Sequence, residues 1–195
     1  LPPYMYTERR LDGVLMPALA KLCDSIVMTE LPVSRKVGND NSQGRADYWC
    51  IYKGYSFVIE LKHSKDNYET PITRKHSIIE RWRKMIKQLN SIKRDILEYD
   101  EKTKGVIRLG LHMISSFSSS ILKEAPKFNN DNIKEIADRM YKDLTGKSKI
   151  NYPDMILCWK IPKSILEMGS GNETYPGLWT FAKIYPPLEH VGMQK

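Results

Sequence analysis

Two carboxylates and one lysine, Asp47, Glu60 and Lys62, lie within one short stretch of the sequence. The segments around them, residues 47–52 and 55–62, are rich in aromatic and β-branched side chains, which favour strands. Carboxylate oxygens are ligands that Mg²⁺ prefers, and a nearby lysine can stabilise charge that develops on a bound phosphate. These residue types at this spacing therefore predict a divalent-metal site with an adjacent cation.

A β-hairpin is expected to bring these side chains together. The dipeptide Lys53-Gly54 is a two-residue connection whose glycine tolerates the positive φ that such turns require. If the loop consists of these two residues, counting outward places Asp47 opposite Glu60 and Arg45 opposite Lys62. Side chains alternate along a strand, so the glutamate and the lysine share one face. A three-residue loop would shift this register by one residue.

Two carboxylates that face each other across a hairpin repel, and a cation would offset that repulsion. The alternative is a solvated strand face on which polar and apolar residues simply alternate. The metal site is favoured because the second carboxylate, Asp47, lies across the hairpin and apolar residues flank the motif.

Composition describes an ordinary globular protein with a basic surface. The chain has 195 residues, which is long enough for one domain with a core. Of these residues 41% are hydrophobic and 28% are charged, as in ordinary globular proteins. Its formal net charge of +8 favours a polyanionic partner, nucleic acid before an anionic membrane surface. A basic surface that serves only solubility is the alternative.

The cysteines and the lack of long apolar runs favour a cytoplasmic protein. Cys23, Cys50 and Cys158 form no C-x-x-C pair and do not combine with the histidines at zinc-site spacing. Buried, reduced thiols are typical of cytosolic proteins. No apolar run reaches the roughly 20 residues of a membrane span, and no signal peptide is recognisable, so no membrane partner is expected.

The hydrophobic pattern predicts nine elements in the order helix, strand, strand, strand, helix, strand, helix, strand, strand. The clearest is a helix that opens at Ser77 and carries an apolar stripe from Ile78 to Ile96. One α/β domain over residues 1–195, with a mixed central β-sheet flanked by helices, accounts for this order.

The ends of the elements follow from caps, prolines and polar stretches. A first helix is predicted after Thr7, and Pro17 is expected to kink it or mark a restart. Asp131 can cap a third helix, which is followed by strands over 155–161 and 178–184. Polar composition predicts three loops, over residues 35–45, 63–75 and 115–120.

The spacing of Asp47, twelve further residues and then Glu60-Leu61-Lys62 resembles the PD-(D/E)XK nuclease superfamily, which has the restriction-endonuclease-like fold. In that superfamily a helix precedes three strands, the second strand carries the Asp and the third carries the (D/E)-x-K. A helix and a further strand follow. Residues 7–114 match this core order, and residues 131–184 would add a helix and two strands.

The resemblance implies Mg²⁺-dependent hydrolysis of phosphodiester bonds, with Mn²⁺ as a substitute ion and DNA favoured over RNA. It makes Asp47 and Glu60 metal ligands and puts Lys62 beside the attacking water. Ala46 stands where the family name has proline, which is a common variation. On this basis Glu60→Ala or Lys62→Ala is expected to abolish cleavage and leave the fold intact.

Further site residues follow from the same resemblance. Many members add a carboxylate from the first helix; Glu8 is favoured as this additional metal ligand, with Asp12 and Glu30 as alternatives. Some exonuclease branches carry a Gln followed four residues later by a Tyr on the next helix. Gln88 fits the first position and could support the site, although Ile92 occupies the second.

Four basic residues near the motif are expected to hold the phosphate backbone, and such contacts position a nucleic acid without reading its sequence. They are Arg45, Lys65, Arg81 and Lys84. A homodimer is compatible with an enzyme that cuts both strands. The alternative function is a catalytically inactive nucleic-acid-binding or protein-interaction module on the same fold.

Overall fold

The structure is a computed structural model, and it describes residues 8–23, 27–37, 40–68, 75–92, 103–118, 130–145, 152–161 and 174–188. Three helices and six strands occur in these ranges, in the predicted order. They are α1 (Glu8–Leu22), β1 (Met28–Val37), β2 (Asp40–Tyr52), β3 (Tyr55–Asn67), α2 (Lys75–Ser91), β4 (Val106–Ser118), α3 (Asn130–Thr145), β5 (Met155–Lys160) and β6 (Thr174–Leu188).

The strands form one mixed sheet in the order β1-β2-β3-β4-β6-β5. The β3–β4 pair is parallel, and the other neighbouring pairs are antiparallel. Because parallel neighbours need a crossover connection, the chain passes through α2 between β3 and β4. The predicted α/β class with a mixed central sheet is confirmed.

Helices cover both faces of the sheet. On one face, the apolar stripe of α2 packs with α3 against the sheet, and its side chains Trp82, Met85 and Leu89 are fully buried, as the 3.6-residue periodicity predicts. On the other face, Leu11 of α1 packs in a second cluster that includes Tyr48. Burial of large apolar side chains on both faces is the main stabilising contribution to such a layered domain.

The hairpin of β2 and β3 has the predicted turn and register. Lys53 has φ 51° and Gly54 has φ 78°, the pair of positive values that a type I′ turn needs. The two strands pair from Tyr52 with Tyr55 outward to Tyr48 with Ile59. Asp47 and Glu60 each lie one residue beyond that last pair.

Three predicted loops are wrong in the part that the structure describes, because polar side chains occupy strand positions there; residues 38–39, 69–74 and 119–120 lie outside the described residues. β1 and β2 continue through most of residues 35–45, β3 reaches Asn67 and β4 reaches Ser118. The serines at the end of β4 are buried and bonded instead of solvated. For example, the Trp179 indole Nε1 donates to the Ser116 hydroxyl over 2.9 Å. Serine-rich sequence predicts a loop, but a buried serine whose hydroxyl is hydrogen-bonded fits in a strand.

Smaller differences occur at other element ends. α1 continues through Pro17 as one helix, and α2 begins at Lys75, two residues before the predicted start. β6 extends beyond the predicted 178–184 at both ends. Thr7 and Ile96 lie outside the described residues.

Candidate metal centre

The predicted trio meets at the point where β2 stops pairing with β3. Asp47 Oδ2 accepts a hydrogen bond from the backbone N–H of Leu61 over 2.6 Å, so its side chain is bonded to the strand that carries the motif. Lys62 Nζ lies 3.6 Å from the same oxygen and donates to the Leu61 carbonyl over 2.6 Å. The ammonium is therefore held between a carboxylate and a backbone carbonyl.

Glu60 is fully buried on the side of the sheet that α2 covers. Its Oε1 forms an ion pair with Arg35, and its Oε2 has no hydrogen-bond partner among the described residues. Desolvation raises the pKa of Glu60; the Arg35 hydrogen bond opposes this effect, and the charge of Asp47 adds to it. The two carboxylates are thus close enough to repel, as the hairpin predicts.

Arg35 is the residue of this centre that the sequence analysis missed. Polar composition predicts a loop over residues 35–45, but Arg35 lies on β1 and is only 8% exposed. Val33 lies two residues earlier in β1 and is also buried, so alternation along a strand was the signal that could have located Arg35. A buried carboxylate requires a cationic or hydrogen-bonded partner, and Arg35 supplies it to Glu60.

Two of the three candidates for a third carboxylate, Asp12 and Glu30, are not brought to the centre. Asp12 accepts a hydrogen bond from the Tyr48 hydroxyl, in the cluster on the α1 side of the sheet. Glu30 is 64% exposed and pairs with Arg45 over 3.3 Å. Glu8 begins α1, but its side chain lies outside the described residues. In the ranges that the structure describes, no three His, Cys, Asp or Glu side chains are grouped to hold a metal ion.

The residues predicted to hold the phosphate backbone lie on different elements of the fold. Arg45 is 70% exposed, and β2 has stopped pairing with β3 before it, so the expected pairing with Lys62 is not observed. Arg81 of α2 donates to the carbonyl of His63, the residue after the motif lysine. Lys65, further along β3, donates to the Tyr175 hydroxyl over 2.7 Å.

Two residues of α2 complete the set of predicted site residues. Lys84 is exposed on the outer side of the helix, one turn after the arginine that reaches β3. Gln88 reaches the centre through its backbone, because its carbonyl accepts a hydrogen bond from Arg35 over 2.8 Å. Its side-chain Oε1 is buried and has no hydrogen-bond partner among the described residues.

Histidine side chains line the strands beside Lys62. His63 Nε2 lies 2.9 Å from the Ser115 hydroxyl, which agrees with a packing role instead of metal ligation. His112 faces Lys62 across the β3–β4 ladder, and its Nε2 lies 2.8 Å from the Ser64 hydroxyl. Complete burial lowers the pKa of His112 to about 3, so this imidazole is neutral.

The donor set fits one hard cation that keeps several water or phosphate ligands. Mg²⁺ in enzymes is commonly bound through one or two carboxylates plus substrate phosphates and water. Asp47 and the unpartnered Oε2 of Glu60 would hold it, since Oε1 is engaged by Arg35. A cation at this point would relieve the repulsion between the carboxylates.

Comparison with protein-family models, with curated proteins and with solved structures found no match for this chain. In the described part of the chain, no helix combines the length and the apolar character needed to cross a membrane. Cys23, Cys50 and Cys158 are free thiols.

Proposed function

We propose that this chain is a metal-dependent nuclease of the PD-(D/E)XK type that hydrolyses phosphodiester bonds, in DNA more than in RNA. The observation that carries the proposal is the meeting of Asp47, Glu60 and Lys62 where β2 and β3 separate. A buried carboxylate with an unpartnered oxygen beside a second carboxylate is unfavourable in isolation. A divalent cation and a phosphate would complete the arrangement.

The chain's own side chains have distinct tasks in this proposal. Asp47 and Glu60 would hold Mg²⁺ or Mn²⁺, which polarises a phosphoryl oxygen and lowers the pKa of a bound water. Lys62 is fixed by its contacts with Asp47 and the Leu61 carbonyl. Its ammonium would therefore stabilise negative charge on the phosphate without a large rearrangement.

The basic surface supports binding of a nucleic acid beside this centre. Arg81 and Lys84 are exposed on α2, and Arg81 also contacts the backbone of β3 just after the motif. Such residues neutralise backbone phosphates, and their binding weakens as salt concentration rises. The proposal extends to a cytoplasmic location, and to a homodimer if both strands of a duplex are cut.

A cleavage assay tests the proposal. The protein would be incubated with plasmid, linear duplex, single-stranded DNA and RNA, in Mg²⁺, in Mn²⁺ and in EDTA. We expect Asp47→Asn, Glu60→Gln and Lys62→Met each to lower cleavage about 100-fold or more. Asp154→Asn is the matched control, because Asp154 lies just before β5 and forms its ion pair with Lys183 of β6, away from the trio. Equal cleavage in EDTA, or by Asp47→Asn, would refute the proposal.

A catalytically inactive nucleic-acid-binding module is the second candidate. It is favoured by one observation, the ion pair that already neutralises Glu60 through Arg35 in a fully buried position. A titration with Mn²⁺ separates the two functions. Binding that disappears in Asp47→Asn supports the nuclease, whereas nucleic-acid binding with no metal dependence supports the module.

A further inference from the structure

Arg35 connects four elements around the candidate metal centre. Nη1 donates to the Gln88 carbonyl over 2.8 Å and to the Ser91 hydroxyl over 3.3 Å, both on α2. Nη2 donates to the Arg45 carbonyl of β2 over 2.7 Å and to Glu60 of β3. The four N–H groups of these two nitrogens thus have four acceptors. Both terminal nitrogens of the guanidinium are therefore fixed, and a phosphate could not bind either of them without breaking one of these bonds.

Gly44 makes room for this side chain. It lies opposite Val33 on the neighbouring strand, and the side chain of Arg35 crosses the backbone there. A Cβ at Gly44 would lie 2.4 Å from Nε and 2.7 Å from Cδ of Arg35, closer than real Cβ contacts. Because the guanidinium is held at four points, the arginine has little freedom to move away. Gly44 therefore leaves the space in which Arg35 is held against the centre.

The two oxygens of Glu60 have different environments because of this arrangement. Oε1 is bonded to Arg35, whereas Oε2 is buried and has no partner among the described residues. Groups that orient a metal ligand commonly bond one of its atoms and leave the other to the metal. Arg35 also compensates the charge that burial would otherwise disfavour on Glu60.

We infer that Arg35 is a positioning residue, which holds Glu60 through Oε1 so that Oε2 remains available as a ligand for the divalent cation. This inference rests on the proposed function and deepens it. It assigns Arg35 no contact with the substrate. The inference predicts that the affinity for the metal depends on the fork of hydrogen bonds that Arg35 makes as well as on the charge of Arg35.

Binding of Mn²⁺ to the whole chain, measured by electron paramagnetic resonance and by calorimetry, tests this inference. Arg35→Lys keeps the charge but cannot make the same fork of hydrogen bonds. We expect it to weaken Mn²⁺ binding about tenfold or more, as is usual when the partner of a metal ligand is lost. Arg108→Lys is the matched control, because Arg108 donates to the Leu89 carbonyl of α2 over 3.0 Å and bonds no carboxylate among the described residues.

A milder variant keeps the inference testable if Arg35→Lys does not fold. Ser91→Ala removes one acceptor of Arg35 and is expected to weaken Mn²⁺ binding about threefold, a fraction of the effect of losing a whole partner. Unchanged or tighter Mn²⁺ binding in the folded variants would overturn the inference, and tighter binding would mean that Arg35 competes with the cation. If the wild-type protein neither binds Mn²⁺ nor cleaves, the proposed function fails and the inference fails with it.

Discussion

Glu60→Ala is expected to destabilise the whole protein, because it leaves the guanidinium of Arg35 buried without its carboxylate. The Glu60 side chain is 0% exposed and that of Arg35 is 9% exposed. Removing one partner of a buried ion pair typically costs about 3–5 kcal/mol of unfolding free energy. That is a large part of the roughly 5–15 kcal/mol by which domains are stable. The expectation that this variant leaves the fold intact is therefore replaced, and Glu60→Gln becomes the better test of catalysis.

Chemical unfolding in urea, followed by circular dichroism, measures this cost. With a slope of about 2 kcal/mol per molar urea, the unfolding midpoint should fall by about 2 M. The double variant Arg35→Met with Glu60→Leu removes both charges and should recover most of the loss, since buried pairs replaced by apolar residues are often neutral. Glu30→Ala is the control: its exposed pair with Arg45 should contribute less than about 1 kcal/mol. A Glu60→Ala midpoint close to that of wild type would refute the reasoning, as would a double variant no more stable than the single one.

Three further predictions concern residues other than the proposed metal ligands. Because the pKa of His112 falls to about 3 on burial, the folded state binds fewer protons than the unfolded state, and stability should fall as pH drops below about 6.5. His112→Gln should reduce the loss of unfolding free energy between pH 7 and pH 5 by about 2 kcal/mol, as measured by urea unfolding. An identical pH dependence in the variant and the wild type would contradict this. Gly13→Ala should raise the melting temperature, because a Cβ there meets no atom within 4 Å and alanine is favoured in helices by about 0.5–1 kcal/mol; a lower melting temperature would count against it. Asp66→Ala should lower the unfolding free energy by about 2–3 kcal/mol, since Asp66 is 3% exposed and pairs with Arg139 of α3. Unfolding in urea at neutral pH measures this loss. A loss below about 1 kcal/mol would show that the pair is dispensable.

The parts of the fold that depend on neighbouring residues were predictable. The positive φ of Gly54 and the strand-forming side chains on either side of it determined the hairpin and its register. The apolar spacing from Ile78 onward determined the buried face of α2. The approach of Asp47 to Lys62 was predictable because Asp47 was expected opposite Glu60, and Lys62 was expected on the same face as Glu60.

The parts that depend on distant contacts were not predictable from local patterns. Arg35 bonds Glu60, which is 25 residues away, and the Gln88 carbonyl, which is 53 residues away. Nothing in the residues adjacent to Arg35 indicates either partner. Ser116 looks like a loop residue because its hydroxyl prefers water, but the indole of Trp179 satisfies that hydroxyl inside the protein.

The two-residue turn at Lys53-Gly54 also limits how this protein can change by insertion and deletion. β3 is fixed from its other side by its parallel pairing with β4, so its faces cannot invert. One residue added to the turn would instead invert β2 together with its edge partner β1, exposing Ala46, which is now fully buried, and moving Asp47 away from Lys62. Related sequences that keep the centre should therefore preserve the length of the turn and carry, in place of Lys53, residues that tolerate a positive φ.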